Sequence, residues 1–344
     1  MKTRNIQRPE LNHILARLHQ VRVAVLGDFC LDIYWHADMR KSQLSRETPH
    51  YPLPVYQEQV SPGAGGNVVM NLHALGVKHL LPISVLGQDW RAQIMIRLME
   101  EAGLNTQYLF REAGRFTPSY CKPIRQGFDQ NTQEDPRIDF INTSPPTPQT
   151  EELLLTALEQ LLPQVDVLAV CDQLDEGIIT PRIREYLAKK GEEGKQIVVD
   201  SRADLSRYSQ VMIKSNELET SHALKAGLPL QPIGIQHLME LAQGLHQQTR
   251  KPLVITLGER GALYYDGRDF SLIPSKPVPP PTDIVGAGDA FMSAFCAALS
   301  LNTPGDLAAS FANLASGVTI RKLHTTGTAS PAEILHWYEE ASHE

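Results

Sequence analysis

The sequence predicts an α/β protein with a mainly parallel central sheet, helices on both of its faces, and a small separate β-sheet to one side. Three observations carry this. From about residue 150 short apolar runs alternate with helical stretches, and the runs are apolar on both faces, as in strands buried between two helix layers. A similar run, VRVAVLGD (21–28), ends at a glycine near the N-terminus. Two polar, proline-bearing segments, 35–60 and 118–142, read as strands outside the main core.

In order along the chain, 21–28 is a buried strand. Residues 35–60 carry Pro49, Pro52 and Pro54 and end in the alternating VYQEQV, which predicts one or two exposed strands. From Asn67 to Leu75 apolar residues recur at helical spacing, with Gly76 as the stop. PISVLG (82–87) is the next strand. The helix after it has Trp90, Ile94 and Leu98 on one face and ends at Gly103. PSYCKPIRQG (118–127) and PRIDFIN (136–142) are strand-like and flank a polar turn. After SPPTP (144–148) a helix spans about 150–162. Strands follow at 166–170, 196–200, 210–214 and 253–257, and ALYYDG (262–267) suggests a hairpin. The main α/β domain is then 1–34, 61–117 and 143–344, and the small β unit is 35–60 with 118–142. No repeat of 20–50 residues is visible.

The bulk numbers exclude several classes. A formal net charge of -7 leaves no basic surplus for phosphate backbones, so no nucleic-acid partner is expected. Cys30, Cys121, Cys171 and Cys296 form no C-x-x-C pair, which suggests neither a structural zinc site nor a disulfide framework. No apolar run approaches the ~18 residues of a spanning helix, and the first twenty residues lack a signal-peptide core. A soluble, cytoplasmic protein with no membrane partner is expected.

The chemistry concentrates in loops that follow or flank strands. DIVGAGDAF (283–291) opens an apolar helical stretch. A helix start presents unpaired N–H groups and positive dipole character, and glycines there let a phosphate approach. An aspartate at that spot suits proton abstraction from a hydroxyl beside the phosphate. On this stretch alone, a capped helix with a tight turn explains the residues as well. SPGAGGNVVMN (61–71) could bring backbone and Asn67 to a small polar ligand, or be a flexible turn with an Asn cap. GDFCLD (27–32) puts Asp28 and Asp32 past a strand end, where carboxylates can accept from sugar hydroxyls. In KSNELE (214–219), Asn216 and Glu219 could organise a hydrated Mg²⁺, or form an ordinary helix start. In TLGERG (256–261), Thr256 and Gly258 could meet nucleotide phosphates and Gly261 permits a turn.

Five such loops in this order resemble the ribokinase-like (PfkB) family of carbohydrate kinases. The family's D-T-x-G-A-G-D pattern is matched by Asp283-Ile284-Val285-Gly286-Ala287-Gly288-Asp289, its glycine signature by Gly63 to Asn67, and its N-x-x-E motif by Asn216 and Glu219. The match runs from about Val21 to Pro331. Within the family GDFCLDIYW, SPGAGGNVVMNLHALGV and IVVDSRADLSRY most resemble the kinase half of bifunctional ADP-heptose synthases. The chain ends soon after His336 and Trp337, so no nucleotidyltransferase half is expected to follow.

The resemblance implies a ribokinase-like three-layer fold whose small sheet is a lid over the sugar. It implies ATP and Mg²⁺ as cofactors and a sugar or sugar phosphate, such as a heptose phosphate, as acceptor. Asp289 is the implied base, and the backbone of Gly286, Ala287, Gly288 and Asp289 the implied anion hole. Asp28, Asp32, Gly65, Gly66 and Asn67 would line the sugar site. Asn216 and Glu219 would support Mg²⁺ and phosphate, Thr256, Gly258 and Gly261 flank the nucleotide, and Asn313 lies near the adenine. Asp283 would serve a monovalent cation such as K⁺. A homodimer through the lid is a further implication. Three departures are visible. Ile284 and Val285 replace a threonine-containing pair, the glycine signature reads GAGGN, and CDQLDEG (171–177) differs from the heptose kinases, where a change of substrate is expected. Lys122, Arg125 and Arg202 could converge on a substrate phosphate or be ordinary surface charge. Two alternatives remain beside the kinase: a catalytically silent sugar or nucleotide sensor on the same fold, and a kinase of a non-sugar alcohol such as a nucleoside. A dinucleotide-dependent oxidoreductase fails, because VAVLGDFCLD has one glycine where G-x-G-x-x-G is needed.

Overall fold

Val23, Ala24, Val25 and Leu26 are completely buried, and they point alternately to two different cores. That alternation between two apolar faces is what a strand needs when helices cover both sides of its sheet. The computed structural model describes residues 1–128, 131–202, 204–225, 233–323 and 326–340. Residues 129–130 of the polar turn expected between the lid strands, and Ala203 of the 196–208 stretch, lie outside the described residues.

In chain order the strands are β1 (Lys2–Thr3), β2 (Arg22–Gly27), β3 (Phe29–Asp38), β4 (Val55–Ala64), β5 (His79–Gly87), β6 (Leu109–Glu112), β7 (Ser119–Gln126), β8 (Thr132–Glu134), β9 (Ile138–Phe140), β10 (Val167–Asp172), β11 (Gln196–Ser201), β12 (Met212–Asn216), β13 (Leu253–Thr256), β14 (Ala262–Tyr265) and β15 (Phe270–Ile273). The helices are α1 (Arg8–Arg17), α2 (Gly65–Ala74), α3 (Trp90–Glu101), α4 (Pro148–Leu161), α5 (Pro181–Glu192), α6 (Glu217–Ala223), α7 (Ile235–Thr249), α8 (Ala287–Leu299), α9 (Gly305–Thr319) and α10 (Pro331–Glu340).

Among the described residues the larger sheet has the order β1-β15-β14-β13-β12-β11-β10-β2-β5-β6. It is parallel except where β14 pairs antiparallel with β13 and β15. One face packs on α1, α2, α8, α9 and α10, the other on α4, α5 and α7. From β2 the chain moves outward to β5 and β6, then returns to lay β10 on the other side of β2. Such a switch in direction opens a crevice at the carboxyl ends of the strands.

The second sheet has the order β4-β3-β7-β8, with β9 also on β7. It starts at Phe29, with only Asp28 between it and the end of β2 at Gly27, and β4 runs on to Ala64. Both strands therefore reach past the 35–60 excursion. The reason is burial: Phe29 to Ile33 are all buried, so this half of β3 has the composition of core strand. Helix α3 also differs from its sequence reading. Its buried face is Arg91, Ala92, Met95 and Met99, while Trp90 is 45% exposed. Arg91 lies over the Trp90 ring at 4.6 Å and the Phe140 ring at 3.7 Å. That contact with the second sheet turns the helix one residue from the Trp90, Ile94, Leu98 row.

Candidate active site

Helix α8 starts at Ala287, and Gly286 before it takes a left-handed conformation with φ +80°. A Cβ at Gly286 would lie 2.9 Å from Asn67 Nδ2, and one at Gly288 would lie 3.2 Å from Lys214 Nζ. The glycines thus let an amide and an ammonium reach the first turn. The first i to i−4 bond is Ala290 N–H to Gly286 O at 2.9 Å, so the Gly288 and Asp289 amides precede the helical ladder. The Ala287 amide closes on Ile284 O at 3.2 Å.

Asp289 is held from across the molecule. Asn67 Nδ2 donates to its Oδ2 at 2.7 Å, and Asn71 Nδ2 donates to Asn67 Oδ1 at 3.0 Å. Asn67 and Asn71 are buried on α2, whereas Asp289 keeps an opening to solvent. Burial pushes the Asp289 carboxyl up to about 6. The Asn67 bond pulls the other way, the Asp200 carboxylate adds to the rise, and Lys214 and Arg202 oppose it. A carboxylate so tuned is ionised at neutral pH and can still take a proton.

Beneath this turn the strand ends of β11 and β12 carry a buried ion pair. Asp200 and Lys214 are direct cross-strand partners, and Lys214 Nζ donates to Asp200 Oδ2 at 2.6 Å. Arg202 follows on the exposed rim, and its charge lowers the carboxyls of Asp32, Asp289 and Glu219. These three charged residues were not among the site residues read from the motifs, although Arg202 was noted as a cation. A signal existed for the pair: Lys and Asp end runs that are otherwise wholly apolar.

Of the residues expected to line a sugar site, Asp28 is 3% exposed and its carboxylate accepts N–H bonds from Gln173 (2.9 Å), Leu174 (3.0 Å) and Ile178 (2.9 Å). It folds the loop after β10, and its carbonyl accepts from Gly65 N–H at 2.9 Å. Burial first, then the Asp172 carboxylate, pushes it up to about 7, against those three donors. Asp32 lies on β3 opposite Ser61 and Tyr120. A Cβ at Gly63 would come within 2.6 Å of Asp32 Oδ2, and one at Gly65 would strike the Phe29 ring. Gly66 packs close to Pro62. Lys122 Nζ is 3.9 Å from Asp32 and donates to Tyr34 O–H at 2.9 Å. Arg137 lies over the Tyr120 ring and pairs with Asp139. Burial raises the Asp32 carboxyl, and Lys122, Arg137 and Arg202 oppose that rise. Arg125 is spent on Asp135 at 2.5 Å.

Of the residues expected near a nucleotide, Asn216 and Glu219 form a reciprocal capping box at the start of α6, with bonds of 2.9 and 2.8 Å. One Glu219 oxygen serves that box. Burial raises the Glu219 carboxyl, helped by Asp200. Thr256 Oγ1 donates to Ser215 O at 3.2 Å. Gly258 and Gly261 have φ +60° and +93°, and a Cβ at Gly261 would collide with the Ile273 carbonyl. The glycine turn therefore rests on the segment after β15. Asn313 Nδ2 donates to Pro274 O in that segment at 3.0 Å. Asn313, Pro274, Lys276, Gly317 and Trp337 line a cavity of about 230 Å³. Asp283 Oδ1 accepts from Val285 N–H at 3.0 Å, and Asp283 N–H bonds Ile320 O. Among the described residues no cluster of three or more His, Cys, Asp or Glu side chains could cage a metal ion. Carboxylate oxygens from few residues suit Mg²⁺ held largely through water and phosphate.

The chain was compared with known proteins. A family model described as pfkB family carbohydrate kinase matches residues 22–333. A protein named bifunctional protein HldE from Trichlorobacter lovleyi is 27% identical over 337 residues, covering 96% of this chain and 65% of its own. The chain thus spans just under two thirds of the length of that relative. Ribokinase of Arabidopsis thaliana, solved with ribose and ATP, superposes with a TM-score of 0.69 at 16% identity, covering 92% of this chain and 98% of its own. Phosphofructokinase-2 of Escherichia coli, solved with fructose-6-phosphate, superposes with a TM-score of 0.67 at 16% identity, covering 94% and 99%.

Proposed function

The chain belongs to the pfkB family of carbohydrate kinases, and from that premise we propose that it transfers the γ-phosphoryl group of ATP to a hydroxyl of a phosphorylated sugar. A heptose phosphate is the member of that class implied by the resemblance of the first strand and the glycine loop. The observation that carries the transfer is Asp289, held by Asn67 at 2.7 Å beside the open first turn of α8.

In this reading the acceptor lies between Asp32 and Asp289. The Asp289 carboxylate takes the hydroxyl proton as the new O–P bond forms and the bond to the ADP oxygen breaks. The Gly288 and Asp289 amides, at the positive end of α8, meet the charge on the phosphoryl oxygens. Glu219, with Asn216 fixing its position, would hold a hydrated Mg²⁺ ion. Bound Mg²⁺ supplies charge neutralisation on the nucleotide phosphates. Thr256, Gly258 and Gly261 border the phosphates, and Asn313 faces the base. Potassium at Asp283 belongs to the same reading, and turnover in potassium against sodium salts checks it.

The substrate phosphate is supported by charge. Lys122, Arg137 and Arg202 all act on Asp32, so three cations lie within electrostatic reach of that carboxylate. The phosphofructokinase-2 complex supports it too, since that protein of the same fold holds a sugar phosphate. A panel of free sugars and their phosphates, read by ADP release, tests the point. Better turnover of the free sugars would remove the phosphate from the reading.

A further inference from the structure

Lys214 is a buried cation directly under the first turn of α8. Its side chain is 5% exposed and that of Asp200 is 7% exposed. An ammonium is seldom buried so deeply without a partner, since its solvation is lost. The Asp200 carboxylate offsets part of that loss and orients Nζ at 2.6 Å. The register fixes the direction: Ile213 points into the α4–α7 core, so Lys214 points toward α8. There it lies so close to Gly288 that a methyl group would touch it. One donor is directed at Asp200, and an ammonium has three.

We propose that Lys214 is a catalytic residue: its ammonium contacts the phosphoryl group in transfer through the opening at Gly288, and Asp200 positions it. This rests on the kinase reading above. The ligand chemistry is a terminal phosphate of a nucleoside triphosphate. The Asp200 carboxylate at 2.6 Å balances the charge where it is buried. A cation here serves two ends. It meets negative charge on the phosphoryl oxygens in place of solvent. It also acts on Asp289, where with Asn67 and Arg202 it favours the ionised base against the opposing Asp200 carboxylate.

The test uses Lys214→Met and the double variant Asp200→Asn with Lys214→Met. Each is measured for turnover, for its pH profile, and for calorimetric affinity toward ADP and a non-hydrolysable ATP analogue. Removing one such donor costs on the order of 10²–10³ in kcat. We expect that loss in both variants, with the ADP affinity kept and the analogue affinity reduced. The acid limb of the single variant should also move to higher pH. The double variant separates this from a structural role, because it leaves no unpaired buried charge. Recovery of native turnover and of the native analogue-to-ADP ratio in the double variant would overturn the proposal. Absence of native turnover with every acceptor would sink the kinase reading instead, and the analogue-to-ADP ratio would still read Lys214.

Discussion

Asp289 has a partner 222 positions away in the chain, the Asn67 amide. That single bond couples the first turn of α2 to the first turn of α8. Asp289→Asn removes the base while keeping the shape, so kcat should fall by roughly 10²–10⁴. Nucleotide affinity by calorimetry should be unchanged. Because burial raises the Asp289 carboxyl to about 6, activity should be full above that value and fall as pH drops through it. The sign follows from the role: a base works only when deprotonated, and a raised carboxyl is protonated earlier on acidification. A pH profile of kcat/KM checks this, and an acid limb near 4 would assign the base to an unperturbed carboxylate. The motif pattern pointed to Asp289 because DIVGAGD is local. Nothing local pointed to its bond with Asn67, nor to Lys214 beneath Gly288, since both contacts exist only after α2, β12 and α8 meet.

At the scale of elements, the start of α8 depends on one backbone conformation. Gly286→Ala forces a side chain into the left-handed region, which costs roughly 1–2 kcal/mol. It also drives a methyl group at Asn67 Nδ2. We expect a loss of kcat with a smaller loss of melting temperature, read by turnover and thermal unfolding. The loop after β10 depends in the same way on Asp28. Asp28→Ala leaves three N–H groups without their acceptor, that of Ile178 buried and those of Gln173 and Leu174 half-buried. The buried one alone costs roughly 1–3 kcal/mol, so the melting temperature should drop by several degrees, with Asp28→Asn milder. Strands such as β10 and β11 were legible because five or six consecutive residues are buried between two cores. The buried face of α3 was not. Ala92, Met95 and Met99 make a weaker apolar row in sequence than Trp90, Ile94 and Leu98. An arginine decides the outcome by stacking on a ring from β9.

At the scale of the molecule, the two sheets are joined at Asp28 between β2 and β3, and again where β4 runs into α2. Charge from the second sheet, Lys122 and Arg137, and charge from the main sheet, Arg202, act on the same Asp32. The site is therefore incomplete without both. The small sheet also has an edge. Strand β4 ends its order, and Val55 and Tyr56 on it are 48% and 52% exposed. An exposed edge with apolar side chains invites pairing with another chain. We propose a homodimer through this edge. Sedimentation velocity should give a dimer for the native chain and a monomer for Tyr56→Asp. A native monomer at micromolar concentration would reject it. The division into a parallel sheet and a small β unit was legible from the polar excursions. Their exact ends were not, because the first half of β3 is as apolar as the core.

The measurement that bears most directly on the central claim is ADP release with Mg-ATP over a panel of sugars, heptoses and their phosphates, for the native chain beside Asp289→Asn. The account predicts turnover with a phosphorylated sugar and its near-complete loss in the variant. Turnover that survives in Asp289→Asn within a few-fold of native would contradict it.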